Sequence, residues 1–259
     1  MSYNLQAETT NNVNGQTVIE SVDWPVDNGE GPILYVNGTT NTTAAPVDAH
    51  ISARQLLKIL TNRHVLLLGI SYLCMNYSFY LLSNWVFLYL VEERKFSVLE
   101  SGWLAATPPL AAAVGAGVGG VITGWLALRL GSRWGYRLMP LVALPLAGAL
   151  LLISVDAANP YWAVAGLACC FTAVELNEGA FWGAAMMVGR GETMAVSGVM
   201  NTGGNLGGII AIPIIGYLAG EHLWRTAFVI GAGFAVASAV AWLGIDVDHP
   251  ADADEGRGN

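Results

Sequence analysis

CCFTAVELNEGAFWGAAM, residues 169–186, sets Glu175, Asn177 and Glu178 inside a run otherwise suited to hydrocarbon. The run belongs to an apolar stretch over 161–188, and a helix needs about 20 such residues to cross a hydrocarbon core about 30 Å thick. Further stretches at 65–90, 102–127, 138–155, 193–219 and 225–245 bring the total to six. They predict an all-α polytopic membrane protein with six transmembrane helices. An ionised carboxylate at the bilayer centre is costly, so such a group turns to a bundle interior or a water-filled cavity. At i, i+3 the two glutamates share one helix face, where repulsion and low dielectric favour a proton on at least one of them. One reading makes a carboxyl that sees each side of the membrane in turn a proton carrier. The other makes it a neutral group bonded to a neighbouring helix.

Composition agrees with a bilayer as the solvent: of 259 residues, 54% are hydrophobic and 12% charged, well away from soluble averages. The net charge of −8 belongs to the tails. Residues 1–50 hold six acids and no Lys or Arg, and 246–259 hold five acids and one Arg. Residues 51–245 balance eight acids against ten bases, so neither a nucleic-acid face nor an acid-rich binding surface is expected. Residues 1–50, rich in Asn, Thr, Gly and Asp, read as a disordered cytoplasmic tail. Residues 51–245 form the six-helix transmembrane domain, and 246–259 an acidic cytoplasmic tail. The opening MSYNLQAETTNNVNGQTV lacks the basic and apolar regions of a signal peptide, so a later segment is expected to insert first. Asn37 and Asn41 begin glycosylation sequons that a cytoplasmic segment would never present to that machinery.

Cys74, Cys169 and Cys170 fall in apolar stretches and read as free buried thiols. His50, His64, His222 and His249 lie in tails or at span ends without metal-ligand spacing, and no Ser or Cys has a base nearby in sequence. No cofactor and no hydrolytic enzyme are expected. Positive loops tend to stay cytoplasmic. With the N-terminus inside, Arg54, Lys58, Arg63, Arg129, Arg133, Arg137, Arg190 and Arg257 face the cytoplasm, and Arg94, Lys95 and Arg225 the other side. Both termini are therefore expected inside, in the inner membrane.

Three other spans carry polar or small-residue patterns. Tyr72, Asn76, Tyr80 and Asn84 recur every four residues, a stripe that lipid would punish and a solute cavity would use, although Tyr72 and Asn84 sit near span ends. Ser197, Asn201 and Asn205 repeat the device, reading as a binding wall or as interhelical glue. Gly203, Gly204, Gly207 and Gly208 beside them allow close backbone approach or local unwinding. Gly115, Gly119, Gly120 and Gly124 suit tight helix packing or a moving gate, and Pro108-Pro109 should bend that helix. No Lys or Arg falls inside any of the six stretches, Arg225 standing at the first position of the last.

YLCMNYSFYLLSNW (72–85), ELNEGAFWGAAM (175–186) and SGVMNTGGNLGGIIAIP (197–213) resemble the seventh, tenth and eleventh helices of the anion:cation symporter family of the major facilitator superfamily. The likeness runs from Ser52 to Asp246. It implies a carrier that imports small organic acids, such as hexuronates, glucarate, galactonate or phthalate-like carboxylates, together with protons. On that resemblance Asn76 and Tyr77, with Tyr80 beside them, belong to the substrate wall, Glu178 is the EG-x-FW glutamate, and Asn201 and Asn205 are the wall amides. Glu178 and Glu175 are the proton-coupling candidates.

The chain departs from that family twice. Where a pattern like GWLADRL is usual, Leu128 replaces the carboxylate, removing half of a cytoplasmic latch and leaving Arg129 and Arg133 as topology signals. The likeness also covers only the second six-helix half of the fold, in which two halves rock about a site between them. It therefore implies a partner, either an N-terminal half or a second copy, which would supply the missing cation for a carboxylate. An inactive membrane scaffold and a homodimeric carrier of a neutral sugar are the rival readings.

Overall fold

Capping residues cut the apolar runs into helices where polar side chains can reach the exposed backbone amides. The computed structural model describes residues 9–13, 16–19 and 53–248, and the chain divides into two units at Ile51/Ser52. In the first, strands β1 (Thr9–Val13) and β2 (Gln16–Ile19) pair antiparallel, with Thr9 opposite Ile19. The remainder of the expected tail, its two sequons and Arg257 lie outside the described residues.

The second unit is all-helical: α1 (Ala53–Thr61), α2 (Arg63–Glu92), α3 (Val98–Leu130), α4 (Ser132–Asp156), α5 (Pro160–Glu175), α6 (Glu178–Gly189), α7 (Thr193–Gly220) and α8 (Trp224–Trp242). The Asn62 side chain accepts from the His64 and Val65 amides and starts α2. Ser97 accepts from the Glu100 amide at 3.2 Å and starts α3. Asn159 accepts from the Tyr161 amide, with Pro160 at the first helical position of α5, where its missing N–H costs nothing. Gly131, at φ +79°, supplies the left-handed link that turns α3 into α4 within one residue.

Among the described residues, six segments are long and apolar enough to cross a membrane: α2, α3, α4, α5 with α6, α7 and α8. They match the six predicted stretches, with ends displaced by several residues. α2 packs along α7 and α8, α4 along α8 and α5, and α3 along α5. Leu68, Leu81, Leu144, Leu151, Leu167, Phe181 and Phe228 fill the core. Between helices in lipid, this packing works through van der Waals contact rather than water release.

The two glycine-rich spans use their glycines in close helix packing. α7 is helical throughout, so its glycines serve close approach: a side chain at Gly203 would strike the Gly69 carbonyl, and one at Gly204 would stand 2.7 Å from the Tyr72 ring. On α3, Gly115 and Gly119 receive the backbone of Thr172 and Leu176, while Gly124 meets nothing. α3 also runs without interruption through Pro108 and Pro109. Cys74 and Cys170 are free and buried as expected, whereas Cys169 is free but exposed.

Arginines fasten the helix ends. Arg94 donates to the carbonyls of Ser154, Val155 and Ala157 at 2.8–3.0 Å and to the Tyr89 hydroxyl, placing a cation on the negative end of α4. Arg137 corrects the expectation that every basic residue lies outside the spans. It is buried in α4, within a membrane-length segment, and is satisfied by donating to the Ile245 carbonyl beyond α8. Arg133 pairs with Asp246 at 3.7 Å, and Arg129 lies over the Trp125 ring. Leu128 is 89% exposed.

Candidate functional site

The fourth predicted span is two helices. Leu176 and Asn177 form a tight turn between α5 and α6, in which the Asn177 amide reaches back to Val174 and its carbonyl accepts from Ala180 and Phe181. The Asn177 side chain is fully buried and donates to the Ala173 and Val174 carbonyls at 2.8 and 3.0 Å. It therefore caps the end of α5, which explains the amide in the middle of the quoted run. α3 admits the turn because it presents Gly119 to Leu176 and Gly120 to Gly179.

The break sets Glu175 as the last residue of α5 and Glu178 as the first of α6. Glu178 is half-buried and held by two side-chain donors. The Trp182 indole N–H meets Oε2 at 2.7 Å, and the Tyr72 hydroxyl meets Oε1 at 3.2 Å and Oε2 at 3.3 Å. The Tyr72 ring is itself wedged against Phe181, with centroids 5.0 Å apart. Donors on both oxygens suit an ionised carboxylate, which only accepts. Glu175, also half-buried, makes no hydrogen bond or ion pair among the described residues.

From Glu178 the polar face continues along α2 and α7. Asn76 donates to the Tyr72 carbonyl at 2.9 Å, and Asn205 to the Asn201 carbonyl at 3.0 Å. The Tyr80 hydroxyl approaches Asn205 Oδ1 at 3.5 Å, the outer limit of a hydrogen bond. Tyr80 and Asn76 are half-buried, whereas Asn201 and Asn205 are exposed on the surface of the unit. Asn84 is exposed and bonds back to the Tyr80 carbonyl.

Tyr77 stands apart from this group. Fully buried, it stacks on Phe234 of α8 at 4.2 Å, and its hydroxyl has no partner among the described residues. One residue along a helix is a rotation of about 100°, which takes Tyr77 away from the face that holds Asn76. Trp182, which the sequence reading did not single out, belongs with the site; its signal is the i, i+4 spacing from Glu178, which brings a donor-only indole over a carboxylate. Arg129, Arg133 and Arg137 are engaged near the α3–α4 link and supply no cation to Glu178. A separate groove of ≈ 500 Å³ between α1, α2 and α7, lined by residues such as Leu56, Ile70, Leu73, Val199 and Leu206, shares no residue with the polar face.

Taken together, the face offers amides, phenols and two carboxyls at membrane depth, suited to a hydroxylated solute or a proton and lacking any metal-ligand cluster among the described residues. A protein of Escherichia coli (strain K12) named "Probable galactarate/D-glucarate transporter GudP" is 28% identical over 71% of this chain and 41% of its own length. Its Pseudomonas putida namesake is 30% identical over 65% of this chain and 38% of its own. Among solved structures, the E. coli fucose:proton symporter FucP superposes with a TM-score of 0.59 at 19% identity, over 74% of this chain and 45% of that one. This likeness shows the fold alone. The chain thus spans about two-fifths of the length of these curated relatives. The family model described as Major Facilitator Superfamily matches residues 25–189, and the chain belongs to that superfamily.

Proposed function

We propose that this chain forms the second six-helix half of a proton-coupled carrier for small organic anions of the sugar-acid class. The observation that carries the reading is the uncovered polar face. Asn201 and Asn205 are exposed on a membrane-length helix, where Asn205 approaches Tyr80 and Gly204 lies against Tyr72 and Asn76. Lipid is a poor neighbour for such a face, whereas a second six-helix unit would enclose it as a solute path. Asn76, Tyr80, Asn201 and Asn205 bind hydroxyls and carboxylate oxygens of the solute in this scheme. At least one of the candidates Glu175 and Glu178 couples its movement to protons, and the partner half supplies the cation that neutralises the substrate. Tyr77 supports the wall from behind. The carrier resides in the inner membrane with both termini inside, a placement supported by the excess of Lys and Arg on one side. The galactarate and D-glucarate in the relatives' names motivate the substrate class.

A second reading, a homodimeric carrier of a neutral sugar, is favoured by one observation: the side chains that donate to Glu178 and Asn205 are Tyr72, Trp182 and Tyr80, none of them a cation. Uptake of a labelled panel of sugar acids and neutral sugars separates the two, in cells expressing this chain alone and with the first half of a related symporter. Sugar-acid uptake only with the partner is the expected result. Neutral-sugar uptake by the chain alone favours the homodimer, and no uptake in either, with insertion confirmed, counts against transport.

A further inference from the structure

The turn at Leu176–Asn177 places the two glutamates at opposite helix ends. Glu178 opens α6, where the first-turn amides and the helix dipole favour a negative charge. Glu175 closes α5, where the same dipole opposes one. The hydrogen bonds divide the same way, with two donors on Glu178 and none among the described residues on Glu175. Around this turn α3 brings Gly119 and Gly120, α4 brings Tyr136 against Gly183, and α2 contributes Tyr72 itself, none of them a charged group.

We infer that Trp182 and Tyr72 are positioning residues that hold Glu178 as a fixed acceptor, so that Glu175 is the carboxyl whose proton exchanges during transport. The transport clause rests on the proposed function; the difference between the carboxyls does not. A fixed anion between two donors makes a constant anchor for a hydroxyl or a partner cation. A carboxyl with no donor can take and release a proton without breaking protein hydrogen bonds.

Dicyclohexylcarbodiimide adds to protonated carboxyls in apolar surroundings, and peptide mass spectrometry of the membrane-inserted chain reads the adduct at each site. Labelling of Glu175 should exceed that of Glu178 by about tenfold, the worth of charge-assisted hydrogen bonds. Trp182→Phe, which keeps a ring and loses the donor, should raise Glu178 labelling by about fivefold or more. Equal labelling, preference for Glu178, or no adduct at Glu175 overturns the assignment. Unchanged Glu178 labelling in Trp182→Phe removes the positioning role. In a transporting pair, Glu175→Gln should keep substrate exchange and lose accumulation against a gradient, while Glu178→Gln loses both; the reverse pattern overturns the assignment. If no pairing transports, the transport reading fails while the labelling contrast is judged on its own.

Discussion

α2 has two polar faces, and they differ in what they do with their polarity. Toward α8 it turns Ser71, Ser78 and Tyr77. Ser71 and Ser238 exchange hydrogen bonds with each other's carbonyls, Ser78 donates to the Gly231 carbonyl, and Tyr77 stacks on Phe234. Each hydroxyl of those serines ends on a neighbouring backbone, in a sealed seam. Toward α6 and α7 the same helix turns Tyr72, whose hydroxyl meets the half-buried Glu178 carboxylate, Tyr80, whose hydroxyl approaches the exposed Asn205 amide, and Asn76, which donates to the Tyr72 carbonyl. A polar side chain in a membrane helix is therefore structural when a buried backbone group completes it, and available for solute when it is left at an unpacked face.

The sharpest break in this comparison is Glu178→Gln. Losing a doubly donated carboxylate should reduce uptake by the assembled carrier by about 100-fold, from the worth of hydrogen bonds to a charged group, with insertion intact on a membrane blot. Undiminished accumulation would remove Glu178 from the mechanism. Next in size, Gly203→Leu puts a side chain where the Gly69 carbonyl already stands. It should cost about 1–3 kcal/mol or more through overpacking, seen as a lower unfolding temperature in detergent; an unchanged midpoint would mean that the α2–α7 seam is looser than described. Arg94→Ala leaves three carbonyls of the α4 end without their donor and should cost about 2 kcal/mol, with substrate affinity unchanged because the site is elsewhere. The smallest effect belongs to Tyr77→Phe. Its hydroxyl is buried without a described partner, so stability should change by less than about 1 kcal/mol, or rise, with uptake retained. Tyr72→Phe, four residues from Asn76 on the open face, should instead impair uptake; equal effects would erase the distinction between the two faces.

Much of the fold was legible in the sequence because hydrophobic length is a strong signal in a membrane protein, and all six predicted stretches became membrane-length segments. The break inside the fourth was not, since Leu176-Asn177 has neither Gly nor Pro and the turn depends on a buried amide cap and on glycines of another helix. The i, i+4 spacing sets Asn76 with Tyr80 on one face of α2 and Asn201 with Asn205 on one face of α7, and Tyr80 approaches Asn205 between them. Tyr77 entered through family resemblance alone, and helical rotation carries it to the opposite side. Trp182 was hidden because tryptophan in an apolar run reads as packing, and only the geometry reveals its donor on Glu178. Arg137 precedes the predicted apolar stretch, yet it lies buried within α4 because its guanidinium donates to the Ile245 carbonyl.

If the face shared by α2, α6 and α7 lines a water-filled path, as proposed, water-soluble reagents reach it from the bulk. Single cysteines at Asn205→Cys and at the exposed apolar position Val240→Cys, in a background without Cys74, Cys169 and Cys170, allow the rate of reaction with a water-soluble maleimide to be measured in uptake-competent membranes. Thiolates form where water reaches, so Asn205→Cys should react about tenfold faster or more, and added substrate should slow it. Equal, slow reaction at both positions, unaffected by substrate, would contradict the account.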